Sequence, residues 1–203
     1  HRQGSLEEML RGADVFIGLS TGGIVTQDMI RSMAHDPIVF ALAVPEPEIA
    51  PHLAREAGAR VIATGRSDYP NTMDVSLIFP GVFRGLLDSR ARNIRLRTLT
   101  AAARALADMA PDDELHADRI IPSIFDFRVA PAIAAAVVRS TIDAGEAQRE
   151  VSPDDVAEKT RRYVYEGRLQ PLTPPNRSEQ KTFREEAIEL RKRHGGVLEI
   201  HSK

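Results

Sequence analysis

The 203-residue sequence contains no cysteine. Disulfides and thiolate metal sites are therefore excluded, and a cytoplasmic address is the default expectation. Lysine is absent before Lys159, although arginine occurs throughout. A mechanism that needs a lysine base must find it outside the first 158 residues. No apolar run approaches the roughly 18 residues of a membrane span, and no secretory h-region is present. The net charge of −2 removes any broad electrostatic footprint for nucleic acid or an acidic membrane. The histidines (His1, His35, His52, His116, His194, His201) have no metal-ligand spacing, and no Ser/His/Asp arrangement can be argued. The chain opens His1-Arg2-Gln3-Gly4 without a methionine, in mid-pattern, which reads as a fragment.

With 42% apolar and 28% charged residues, the composition suits one globular domain plus an appendage. Ser5-Leu6-Glu7-Glu8 is a capping-box pattern that opens a short helix. Asp14 to Leu19 reads as a buried strand, and Thr26 caps a second helix through Met29, Ile30 and Met33. Ile38 to Val44 is a second strand, stopped by Pro45 and Pro47. Pro51 begins a helix to Ala57 with Gly58 as its stop, and Val61 to Ala63 is the third strand. This alternation predicts part of a doubly wound, Rossmann-like parallel sheet of the α/β class.

A helical C-terminal region follows. Helices are predicted from Val82 to Asp88, Asn93 to Met109 and Ala130 to Ala144, with Pro122 to Phe127 irregular between them. Ser152-Pro153-Asp154-Asp155 caps another helix that ends near Gly167. Leu172 to Asn176 is a linker, and Thr182 to His194 is a charge-dense helix closed by Gly195-Gly196. The domain division is residues 1–145 and a helical tail over 146–203.

Three polar loops follow the strands, where an open α/β sheet builds its ligand site. Gly18-Leu19-Ser20-Thr21-Gly22-Gly23 lets backbone approach an anion, but on its own the pattern favours a plain tight turn. Ala43 to Glu48 is either a cofactor-facing loop or a rigid connection fixed by its prolines. Arg66-Ser67-Asp68 offers a guanidinium that can grip a carboxylate with two parallel bonds, or an Arg66–Asp68 turn stabilised locally.

The segment from Ile62 to Arg84 says most. Ala63 to Asn71 matches ATGRSD(Y/F)PN, and Phe79 to Gly85 matches FPG-(I/V)-FRG. Gly12 to Gly18 with Ser20 and Gly23 looks like GADVFIG-x-S-x-x-G. Phe40 to Ala43 with Pro45, Pro47, Glu48 and Ile49 looks like FALANP-x-PEI. Ile120 to Pro122, Phe125-Asp126 and Arg128 to Pro131 look like IIP-x-x-FD-x-RVAP. Together, over about residues 5–145, these segments resemble the NAD-binding domain of bacterial-type malic enzymes.

That resemblance implies oxidative decarboxylation of malate, a small dicarboxylate, to pyruvate and CO2 in an intact parent, with NAD or NADP and Mg2+ or Mn2+. It implies Ser20, Gly23, Val44 and Pro45 on the cofactor side, and Arg66, Ser67, Asn71, Asp74 and Val75 on the substrate side. The family's catalytic tyrosine and lysine, its metal ligands and its Gly-rich turn are expected upstream of residue 1. No catalytic or metal-binding residue is therefore assigned within the chain, which alone is expected to be inactive. A homodimeric parent is also expected.

Three positions depart from the family pattern. Val44 stands where the family has the asparagine of ANP, and Asp74 and Val75 replace its paired asparagines. A lost charge-assisted hydrogen bond costs on the order of 1.5–3 kcal/mol, and Asp74 adds repulsion against a dicarboxylate. Two further readings follow from these departures. One is a degenerate homologue acting as a binding or regulatory subunit; the other is a dehydrogenase of the same fold for a less polar 2-hydroxy acid.

Overall fold

The capping box at Ser5 forms as its residues dictate. The Ser5 amide donates to Glu8 Oε2 at 2.8 Å and the Glu8 amide donates back to Ser5 Oγ at 3.3 Å. These bonds open α1 (Leu6–Leu10), the first element of a computed structural model that describes residues 3–165. The linker expected at 172–176 and the helix expected at 182–194 lie outside the described residues.

Three short strands, β1 (Val15–Gly18), β2 (Ile38–Ala41) and β3 (Val61–Thr64), form one parallel sheet in the order β1-β2-β3. Between them run α2 (Gln27–Arg31), capped by Thr26 Oγ1, and α3 (Pro51–Glu56), with Pro51 in its first turn. Register aligns Phe16 with Val39 and Val39 with Ile62, and all three are buried. They join Leu10, Ile30, Met33 and Ala54 in one apolar cluster that seals this face of the sheet. Each of the larger of these side chains, fully buried, contributes about 1.5–3 kcal/mol. On the opposite face Val15 and Ile17 are 46% and 60% exposed.

Strands β1 and β2 are shorter than the apolar runs that encode them, whereas β3 runs one residue beyond Ala63, to Thr64. The run from Ile38 to Val44 pairs only to Ala41, because Gly18, its partner across the ladder, is the last paired residue of β1. Residues 42–44 carry the chain on, and the Val44–Pro45 peptide bond is cis.

Beyond β3 the chain turns helical. A 3-10 turn (Val75–Leu77) leads into α4 (Phe79–Asp88), which begins three residues before Val82 because Pro80 fits a helix's first turn. There follow α5 (Leu96–Ala107), α6 (Val129–Asp143) and α7 (Pro153–Tyr165). The patterns predicted α5 too long at both ends and missed a 3-10 turn at Asp112–Glu114. Leu77, Val82, Leu86, Ala102, Ile133 and Val137 form the second core. The contact between α4 and α6 is close: a Cβ at Gly85 would lie 2.7 Å from the Val137 side chain and 2.8 Å from the Ala134 carbonyl. On the other side of α6, Ala134 and Val138 pack against Val156 of α7.

Candidate functional site

The parallel strands end together, so the three loops that follow them are neighbours. Their hydrogen bonds fix how they meet.

The first loop leaves β1 at Gly18. Its Ser20 amide donates to Glu48 Oε1 at 2.9 Å, the Gly23 amide to the Pro47 carbonyl at 3.0 Å, and the Val25 amide to the Glu48 carbonyl at 3.0 Å. Gly22 lies so close to the second loop that a Cβ would approach the Glu46 carbonyl oxygen to 2.7 Å. Gly23 has φ +73°, in the left-handed region that glycine enters without steric cost.

The second loop holds Val44, 68% exposed, and Pro45, also exposed. Behind them Glu48 is fully buried, and its Oε2 accepts from the Ala43 amide at 3.0 Å. Sequence reasoning missed Glu48 as a site residue. It lies within Pro47-Glu48-Ile49, but a glutamate in a loop gives no sign of burial.

In the third loop the Arg66 guanidinium takes both carboxylate oxygens of Asp68, Nε at 2.9 Å and Nη2 at 2.6 Å. That pairing holds the Asp68 carboxyl below its usual range and raises Arg66 above its own. The third arm, Nη1, donates to the Pro45 carbonyl at 3.3 Å, and the guanidinium sits 5.4 Å from the Tyr69 ring centre. The local turn is thus what forms. It also joins Arg66 to the second loop, bringing a residue expected on the substrate side against one expected beside the cofactor. Val44 reaches the same junction, with Cγ2 3.6 Å from where a Gly65 Cβ would stand.

Asn71 is engaged by the chain itself. It is buried with φ 55°, and its Nδ2 donates to the carbonyls of Ile62 at 2.9 Å and Ala117 at 2.8 Å. Its Oδ1 accepts from the Ile120 amide at 2.9 Å. Both ends of the amide are spent on main chain, so Asn71 fastens residues 117–120 to β3. Asp74 Oδ1 accepts from the Ser76 amide at 2.7 Å, which caps the 3-10 turn. Hydrogen bonding from the Ser76 side chain, then from its amide, holds the Asp74 carboxyl below its usual range. Val75 is 62% exposed.

Ser67 is exposed and lines a cavity of about 430 Å3 together with Tyr69, Asn71, His116, Asp126 and Arg128. Asp126 and Arg128, within the IIP-x-x-FD-x-RVAP segment, line this cavity although their motif alone predicts no site role for them. There the Arg128 guanidinium closes on Asp126 at 2.6 Å and holds its carboxyl below the usual range. The structure therefore brings Ser20, Gly23, Val44, Pro45 and Arg66 to one edge of the sheet. Ser67 and Asn71 border the neighbouring cavity. No group of three or more His, Cys, Asp or Glu side chains among the described residues is placed to hold a metal ion. No helix among them is long and apolar enough to cross a membrane.

Residues 2–142 match the family described as malic enzyme, NAD binding domain. The chain is 51% identical over 166 residues to the bifunctional malic/malolactic enzyme of Bacillus subtilis, covering 82% of this chain and 40% of that protein. It is 44% identical over 160 residues to the NADP-dependent malic enzyme of Halomonas elongata, covering 71% of this chain and 38% of that protein. Among solved structures, the malic enzyme from Pyrococcus horikoshii aligns over 83% of this chain and 39% of its own, with a TM-score of 0.76 and 42% identity. The chain thus spans about 40% of the length of such relatives.

Proposed function

This chain belongs to the malic enzyme family through its NAD-binding domain, and from that premise we propose that it serves an NAD(P)-dependent enzyme converting malate to pyruvate and CO2. The observation that carries the reading is the match over residues 2–142. The fold supports it, because three loops converge at the carboxyl edge of a parallel sheet, where such sheets take their ligands.

The residues of that edge fit a dinucleotide. Leu19 and Val44, 79% and 68% exposed, offer apolar surface to a planar ring. They flank a loop pair already drawn together by Glu48. Ser20, Gly23, Val44 and Pro45 form the cofactor side of this proposal. Arg66, Ser67, Asn71, Asp74 and Val75 form the substrate side, with Asn71 also holding the loop in place. Bound at this edge, the dinucleotide supplies the hydride acceptor for oxidation at C2 of malate. The acid–base residues and the ligands for Mg2+ or Mn2+ lie in polypeptide outside this chain.

The division into residues 1–145 and a tail over 146–203 belongs to the same reading, supported by a family match that stops at residue 142. A cytoplasmic address, supported by the lack of cysteine, and a homodimeric parent complete it.

The test is an assay of the intact parent with malate, Mn2+ and either NAD or NADP, following reduced cofactor and pyruvate together. Stoichiometric appearance of both supports the proposal, while this chain assayed alone is expected to be silent. A parent that reduces neither cofactor with malate overturns the reading. One observation favours a second reading. Val44 and Val75 present exposed isopropyl groups where the family has amides, which suits a less polar 2-hydroxy acid. A panel of such acids with the same parent separates the two.

A further inference from the structure

A fully buried carboxylate with no cationic partner is costly unless hydrogen bonds replace its water. Glu48 is such a group: it is 0% exposed, and no arginine, lysine or histidine pairs with it among the described residues. Its two oxygens are divided. Oε1 takes the Ser20 amide at 2.9 Å and Oε2 takes the Ala43 amide at 3.0 Å, so one side chain bonds the loop after β1 and the loop after β2 at once. The Glu48 carbonyl also accepts from the Val25 amide at 3.0 Å. The carboxylate lies directly over the end of β1, where a Cβ on Gly18 would stand 2.5 Å from its Cδ.

The geometry points to Glu48 as a positioning residue for dinucleotide binding, setting the separation of Ser20 from the Val44–Pro45 corner. Its functional consequence rests on the malic enzyme reading above. An apolar side chain of similar size would fill the same space without the desolvation cost, but could hold neither amide. Glutamine has nearly the same shape, yet only one of its two terminal atoms accepts. The other is an NH2 group that would face an amide N–H, donor against donor. Glu48→Gln therefore releases one loop and keeps the other, whereas Glu48→Ala releases both.

The experiment uses the intact parent, wild type, Glu48→Gln and Glu48→Ala. It reads hydrogen exchange at the Ser20 and Ala43 amides, equilibrium binding of NAD and NADP, and the separate KM values for dinucleotide and malate. In Glu48→Gln, exchange is expected to accelerate at one of the two amides, with the rest of the sheet still protected. The dissociation constant and KM for dinucleotide should rise about tenfold, the equivalent of one charge-assisted hydrogen bond. The KM for malate should change far less. In Glu48→Ala both amides should exchange fast and binding should weaken further. A merely structural role would lower the melting temperature without separating the two KM values.

Unchanged dinucleotide affinity in a folded Glu48→Gln variant overturns the inference, as does unchanged exchange at both amides. A wild-type parent that binds neither dinucleotide overturns the malic enzyme reading instead. The exchange data then still report whether Glu48 holds the two loops.

Discussion

Arg66 Nη1 donates to the carbonyl of Pro45 at 3.3 Å, while Asp68 holds the other two nitrogens of the same guanidinium. The second and third loops of the site are thereby joined by a planar, three-armed connector. Lysine cannot reproduce it, because an ammonium is a point charge without the fork. If the intact parent acts on malate as proposed, Arg66→Lys is expected to raise its KM for malate roughly tenfold. The pair is exposed, so the melting temperature should barely move. Steady-state kinetics and calorimetry on one preparation check both halves; a large loss of stability with unchanged KM would contradict the assignment.

Asn71 should behave in the opposite way. Removing its amide leaves the Ile62 and Ala117 carbonyls and the Ile120 amide without their partner. At about 1 kcal/mol for each hydrogen bond, Asn71→Ala should cost about 3 kcal/mol of folding stability. The left-handed backbone at φ 55° adds to this, since alanine adopts it less readily than asparagine. Urea denaturation measures the loss, and a change under about 1 kcal/mol would show that the fastening is unimportant.

Gly85 sets two effects against each other. Alanine in a helix gains up to about 1 kcal/mol over glycine in propensity. Its Cβ would, however, meet Val137 at 2.7 Å and the Ala134 carbonyl at 2.8 Å, and overpacking costs about 1–3 kcal/mol. The clash involves backbone and a β-branched side chain, neither of which yields easily. Gly85→Ala should therefore destabilise the fold, and thermal unfolding of the two forms decides the sign.

The acid limb of stability should depend on Asp126. Hydrogen bonds from Arg128 hold its carboxyl below the ordinary value near 3.8. A depressed folded value means that the unfolded chain takes up this proton first as pH falls. The stabilisation is complete above the ordinary value and disappears as pH drops through the folded one. Asp126→Asn should then lower stability at pH 6 and flatten its decline below about pH 4. Urea titrations across pH 3–6 check this; parallel curves for the two forms would exclude the pair as a contributor.

Local chemistry made much of this legible. The Ser5 and Thr26 caps, Pro51 in a first turn and three apolar runs spaced by short helices all act within a few residues, so the sequence displays them. Pairing limits do not show locally: nothing in Ile38 to Val44 marks Ala41 as the last paired residue, since that is decided by Gly18 on another strand. The site divides in the same way. Arg66 and Asp68, two residues apart, could be read as a turn. Glu48 is defined by an amide 28 residues away and Asn71 by groups 46 and 49 residues away. A motif marks such residues without telling whether they serve a ligand or the chain itself.

The unequal faces of the sheet have a consequence for handling this chain. Strand β1 pairs only with β2 among the described residues, so its outer edge carries free donors and acceptors beside exposed Val15 and Ile17. An edge of this kind templates the addition of further strands. The chain produced on its own is expected to self-associate as its concentration rises, a behaviour that light scattering detects. Replacing Ile17 by lysine should suppress it while leaving the opposite, sealed face intact.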